Sequence, residues 1–246
     1  MSYSRLVGRT WEENRLFSVL LELTYDCNLD CSFCYNDTRL SGPALSLDQY
    51  RVLLGDLAGM QVFQLVLSGG EPLVHPGFFD IGRRARDLGF VVRVKTNGHA
   101  LDGPVARRLK AEVDPFVVEV SLHGASTRTH DAQTRLPGSF EKLLANLSAM
   151  KAAGLRIRLN APLTRWNEHE IEAMFALADD LGLRLTFDAT VTPRDDGDLS
   201  PLSLSASPEG FRRLVGTLKA RSAAAGEADR KPFLLPAGDA DLPPPS

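Results

Sequence analysis

Six apolar runs of strand length alternate with longer segments of helical period, and this alternation restricts the fold more than any other feature of the chain. The runs cover residues 17–24, 62–68, 90–96, 116–122, 155–162 and 183–189. Helices are expected over 47–58, 76–88, 104–111, 140–153, 169–181 and 208–223. Ser46, with Gln49 three residues on, reads as a capping box. Pro76 and Pro104 suit first helical turns. Gly89, Gly154 and Gly182 follow helices where a left-handed cap is wanted. Strands alternating with helices give βα units, a parallel sheet and right-handed crossovers.

Parallel strands covered on both faces read as near-continuous apolar runs. These strands keep one polar face instead. Phe90, Val92, Val94 and Thr96 oppose Arg93, Lys95 and Asn97; Phe116, Val118, Val120 and Leu122 oppose Glu119, Ser121 and His123. Leu155, Ile157, Leu159 and Ala161 oppose Arg156, Arg158 and Asn160; Leu183, Leu185 and Phe187 oppose Arg184, Thr186 and Asp188. Glu22 and Thr24 oppose Leu21 and Leu23 in the first run. An open sheet with one solvated face fits βα alternation poorly, because crossover helices cover sheet faces. A curved, partly closed barrel with helices outside and a polar lumen fits better. Such a lumen implies a polar or charged ligand, since buried charges need partners. Glu22 and Glu119 are expected to pair with Arg93, Lys95 or Arg158, or to face that ligand.

With 43 % hydrophobic and 24 % charged residues among 246, the chain is ordinary for a globular protein and neither disordered nor fibrous. A net charge of −3 offers no field for nucleic acid or an anionic membrane. No window approaches the 18 apolar residues of a membrane span, and the first residues lack a secretory apolar stretch. Cytoplasm is the expected location. Five of the 15 prolines fall in 231–246. Residues 1–15 therefore read as an extension, 16–223 as one core domain and 224–246 as a linker or disordered tail.

All three cysteines, Cys27, Cys31 and Cys34, lie within eight residues just after the first strand. An odd count at this length is no disulfide framework. Soft thiolates select zinc, copper(I) or iron–sulfur clusters. A structural zinc wants a fourth ligand, and no histidine lies nearer than His75. Three thiolates suit a [4Fe–4S] cube with one iron left open to a small molecule.

Cys27-Asn-Leu-Asp-Cys31-Ser-Phe33-Cys34 resembles the signature of the radical S-adenosylmethionine (radical SAM) enzymes, and the resemblance spans about residues 15–220. It implies a partial (β/α)₆ barrel whose cysteines hold a [4Fe–4S] cluster, with the open iron chelating the amino and carboxylate groups of SAM. Phe33 occupies the family's aromatic position, and Tyr35 lies where the family's chain passes the adenine. Ser68-Gly69-Gly70-Glu71-Pro72 after the second strand resembles the family's GGEP motif. There Glu71 would accept a hydrogen bond from the SAM ammonium. Asn97, Ser121 and Asn160 end the third, fourth and fifth strands, where the family's polar residues contact the SAM ribose and carboxylate. Arg135 is the candidate for the carboxylate-binding arginine. His75, His99 and His169 read as surface or capping residues, and His123 faces the lumen.

The resemblance implies reductive cleavage of SAM to a 5′-deoxyadenosyl radical that abstracts hydrogen from a peptide or cofactor-precursor substrate. It also implies an electron donor of the flavodoxin or ferredoxin kind. Its wording is closest to members with a cysteine-rich C-terminal SPASM domain, yet no cysteine follows Cys34. The expectation is truncation, a compact variant, or a partner protein that supplies that function. The contrasting readings are a zinc or electron-carrier module without catalysis and an inert relative.

Overall fold

The computed structural model describes residues 3–37 and 45–224. Six strands form one all-parallel sheet in chain order: β1 (Ser18–Glu22), β2 (Gln64–Ser68), β3 (Val91–Thr96), β4 (Val117–Ser121), β5 (Ile157–Pro162) and β6 (Arg184–Asp188). β1 and β6 do not pair, so the barrel is partial and open along one side.

Among the described residues eight α-helices connect or flank the strands: α1 (Tyr3–Glu12), α2 (Leu47–Gly59), α3 (Phe78–Asp87), α4 (Gly103–Glu112), α5 (Thr127–Thr134), α6 (Ser139–Ala152), α7 (Ile171–Asp180) and α8 (Pro208–Ala224). Local chemistry explains most of their ends. Ser46 and Gln49 form the capping box of α2, and the Asp102 carboxylate accepts from Val105 N–H at α4. Gly89, Gly154 and Gly182 all take positive φ at helix-to-strand corners. Pro76 differs from expectation: α3 starts after Gly77, so the proline sits just ahead of the helix.

Two helices were not expected. α1 occupies the segment read as an extension. α5 has no apolar period, because the residues it buries are Thr129, His130, Gln133 and Thr134. Tertiary hydrogen bonding stabilises that helix, and hydrophobic patterning does not mark it. The expected tail beyond Ala224 lies outside the described residues.

The apolar face of the sheet packs on the helices as foreseen. Leu65, Leu67, Val92, Val94, Val118, Val120 and Leu159 join one core with Leu54, Ile81, Leu109, Leu143, Leu147 and Met150. The opposite face turns inward and stays polar. At its base Glu119 is 5 % exposed, hydrogen-bonded to Arg93, with Arg158 at 4.0 Å. Low-dielectric burial of a carboxylate is tolerable only with such partners.

The turn after β2 docks on the segment leaving β1. Gly70 N–H donates to Thr24 O at 2.7 Å and Glu71 N–H to Asp26 O at 2.9 Å. Gly69 has φ +138°, and a Cβ there would lie 2.3 Å from Thr24 O. At Gly70 a Cβ would lie 2.4 Å from Asp26 O and 2.5 Å from Tyr25 O, both backbone atoms that cannot swing aside. At the opposite wall, the His123 and His130 rings lie 5.1 Å apart, tilted by 43°, and His123 N–H donates to His130 Nδ1 at 3.2 Å.

Gly70→Ala must push the 24–26 segment away and carry Cys27 with it. The expected result is a loss of about 1–3 kcal/mol in chemical denaturation, as for overpacked cores, together with reduced iron uptake measured per chain. His130 supplies a pH test. Burial, aided by His99 and opposed by Asp131 and Glu170, holds it at about 4, whereas an unfolded histidine titrates near ~6.5. The unfolded chain therefore binds more protons between those values, and stability falls as pH drops through that window. His130→Gln keeps an acceptor for His123 N–H and removes this titration. Between pH 7 and 5 its unfolding free energy should fall by about 2 kcal/mol less than that of the native protein.

Candidate functional site

The C-terminal ends of β2 to β6 and the loop after β1 surround a cavity of about 270 Å³. Cys27, Cys31 and Cys34 border it, with Phe33 and Tyr35 from the same loop. Ser68, Gly69 and Gly70 enter from the turn after β2. Asn97, Ser121 and Asn160 enter from the ends of β3, β4 and β5. Lys95, His123 and Asp188, also on the polar strand faces, line it too. The polar face is thus a lumen and not a solvated sheet surface.

The cysteine loop is held from several sides. Asn97 Nδ2 lies 3.7 Å from Cys27 Sγ and donates to Asn28 Oδ1 at 2.7 Å. Leu29 N–H lies 3.4 Å from Cys27 Sγ. Ser32 N–H donates to Gln133 O on α5, and Cys34 N–H to Cys31 O at 3.1 Å. Phe33 lies against the His123 ring at 5.1 Å. Tyr35 donates from its hydroxyl to Glu22 Oε1 at 2.7 Å. His123 O in turn accepts from Gln133 Nε2 and from Asn167 Nδ2, so this wall is rigidly framed.

Two candidates sit off the cavity wall. Glu71 is fully buried beneath it. Its carboxylate accepts from Thr96 Oγ1 at 2.8 Å, Asn97 N–H at 2.8 Å and Leu73 N–H at 3.1 Å. Burial pushes it up to about 7 against the pull of those three donors. With its oxygens engaged by protein, Glu71 positions Asn97, which reaches Cys27. Arg135 likewise stands outside. It ends α5 with φ +56°, is 53 % exposed, and pairs through Nη1 with Asp30 Oδ2 at 2.9 Å. It latches the cysteine loop from the far side of a cavity-lining aspartate.

Sequence reading missed the segment after β6. Thr190, Val191, Thr192 and Arg194 border the cavity, and Asp195 N–H donates to Tyr35 O at 2.8 Å. This stretch has no periodicity, and no local signal says that it folds back over the cysteines.

The donor set decides what the site can hold. Burial raises all three thiols, and mutual repulsion adds to this at Cys27 and Cys31. Three thiolates there require a compensating cationic centre. Among the described residues no three His, Cys, Asp or Glu side chains converge on a single metal ion. Three cysteine thiolates are a donor set that fits a [4Fe–4S] cluster, whereas a structural zinc takes four ligands. Among the described residues no helix is long and apolar enough to cross a membrane.

Known proteins agree with this geometry. The Radical SAM superfamily pattern matches residues 21–178. An AdoMet-dependent heme synthase of Methanosarcina barkeri is 33 % identical over 196 residues, covering 79 % of this chain and 55 % of that protein. Mycofactocin maturase MftC of Mycobacterium ulcerans is 37 % identical over 169 residues, covering 67 % of this chain and 45 % of the relative. The chain thus spans about half the length of the curated relatives it matches. Streptococcus suis SuiB bound to precursor peptide SuiA superposes with a TM-score of 0.73 at 15 % identity, over 90 % of this chain and 50 % of that one, which shows a shared fold. From cysteine spacing, barrel topology and sequence similarity together, the chain belongs to the radical SAM superfamily.

Proposed function

We propose that residues 16–223 are the catalytic core of an enzyme that cleaves S-adenosylmethionine and abstracts hydrogen from a peptide or cofactor-precursor substrate. One observation carries the reading: a single cavity of about 270 Å³ joins all three cysteines, the glycine turn and the polar ends of β3, β4 and β5. When bound, a reduced [4Fe–4S] cluster with SAM supplies a 5′-deoxyadenosyl radical. Everything else falls to this chain's residues.

Cys27, Cys31 and Cys34 hold the cluster. N–H donors from Leu29 and Asn97 stand beside Cys27 Sγ and favour its thiolate. Gly69 and Gly70, packed on the backbone of residues 24–26, hold their turn at the cavity wall beside the cysteine loop. Ser68, Asn97, Ser121 and Asn160 offer hydrogen bonds to its polar groups. Phe33 and Tyr35 form an aromatic side wall. Glu71 and Arg135 hold these elements in register. The framed walls restrict water around the reacting centre and fix the substrate relative to it.

A peptide substrate is supported by the name of the mycofactocin maturase relative and by the SuiB fold seen with a precursor peptide. A cofactor precursor is supported by the heme synthase relative. The electron would come from a flavodoxin- or ferredoxin-like donor, and a reducing cytoplasm suits three free thiols.

Anaerobic reconstitution with iron and sulfide should give [4Fe–4S] absorption, and dithionite with SAM should yield 5′-deoxyadenosine. Cys34→Ala should lower that yield at least 100-fold. Unchanged cleavage by this variant, or stoichiometric zinc in place of a cluster, would falsify the reading.

A further inference from the structure

Arg194 enters the site from a segment whose sequence gives no sign of it. The segment follows β6 and is pinned to the cysteine loop by Asp195 N–H donating to Tyr35 O at 2.8 Å. Arg194 itself is tied back by its own N–H to Asp198 O at 3.0 Å. Its side chain is 19 % exposed and borders the cavity with the three cysteines. The Arg194 Nε is buried with no hydrogen-bond partner. That Nε forms an ion pair with Asp198 Oδ2 at 3.8 Å, too long for a hydrogen bond, and Asp198 is itself 44 % exposed, so water weakens the pairing. A guanidinium kept four-fifths out of water with an unused donor is costly unless it faces negative charge.

The surroundings of the cysteine loop are otherwise acidic. Burial raises the Cys34 thiol; Asn36 N–H and the charge of Arg194 pull against it, while Asp30 and Asp195 push it further. Among the described residues Lys95 also borders the cavity, and Arg135, at this loop, is 53 % exposed and already paired with Asp30. Water and that partner screen it, whereas Arg194 is screened little.

We infer that Arg194 is the counter-charge of the cluster site and raises the cluster's reduction potential by stabilising its reduced, more negative form. This rests on the reading that Cys27, Cys31 and Cys34 hold a [4Fe–4S] cluster. The physical basis is general. Taking up one electron adds one negative charge, and a fixed cation in a low-dielectric pocket favours the more negative state. Iron–sulfur potentials respond to net charge, hydrogen bonding and exposure in this way. An arginine placed here eases electron delivery without touching substrate, so Arg194 is a positioning group for charge and not a catalytic residue.

The test uses the full chain, reconstituted anaerobically, without SAM or substrate. Iron and sulfide per chain are measured first, then the midpoint potential by EPR-monitored titration. Arg194→Gln should shift the midpoint to more negative values. Arg194→Lys, which keeps the charge without the planar fork, should recover most of that shift. Arg135→Gln should move it less than Arg194→Gln does. Thr192→Glu adds a carboxylate to the same cavity wall at an exposed position and should lower the midpoint too, even if Arg194→Gln loads poorly. A native midpoint in Arg194→Gln or in Thr192→Glu, or an equal shift in Arg135→Gln, overturns the inference. Failure of the unaltered chain to assemble a cluster would instead overturn the cluster assignment itself.

Discussion

A carboxylate sealed from water needs every one of its hydrogen bonds, and Glu71 has three donors, two at the end of β3 and one in its own turn. Through them the turn after β2 is locked to the end of β3. Two glycines let that turn press against the segment between β1 and Cys27 at distances no side chain permits. Asn97, fixed by Glu71, then reaches the first cysteine. The position of the cysteine loop thus depends on a buried polar bond set that spans three strands. Low dielectric makes such a network stiff when satisfied and costly when broken.

The same logic governs charge across the lumen. Its floor is neutralised internally, with Glu119 held by Arg93 and approached by Arg158. Among the described residues its upper part is less so: three thiols, Asp30 and Asp195 crowd one side, and Arg135, Arg194 and Lys95 are the cations near them, Arg135 already paired with Asp30. A polar barrel interior of this kind is stable as protein only where its charges pair, and it is useful where some are left for a ligand. The unpaired groups gather at the C-terminal strand ends, where barrel enzymes place their chemistry.

Much of this was legible in the chain. Alternation in residues 90–96 and 116–122 told which side chains would meet the helices and which the lumen, because a strand's period of two leaves no other choice. Capping at Ser46, Pro104 in a first turn and the corner glycines marked helix ends for the same local reason. α5 was not legible, since its buried face is made of His130, Gln133 and Thr134, and only their long-range partners justify burying them. Glu71 was legible as important, but its bonds to Thr96 and Asn97 were not, because a motif reports which residue is present and not which distant donors it meets.

The sequence by itself determined a six-unit parallel βα fold with one polar face and a three-thiol site after the first strand. Periodicity and spacing are local properties, and they survive whatever the rest of the chain does. Only the tertiary structure decided that the barrel stays open between β1 and β6, that Arg135 latches the cysteine loop from outside, and that Arg194 folds back to stand over it. Those outcomes depend on contacts between residues far apart in the chain, such as Asp195 with Tyr35 and Ser32 with Gln133. Such contacts are selected by packing and by the need to satisfy buried polar groups, which no short stretch of sequence encodes.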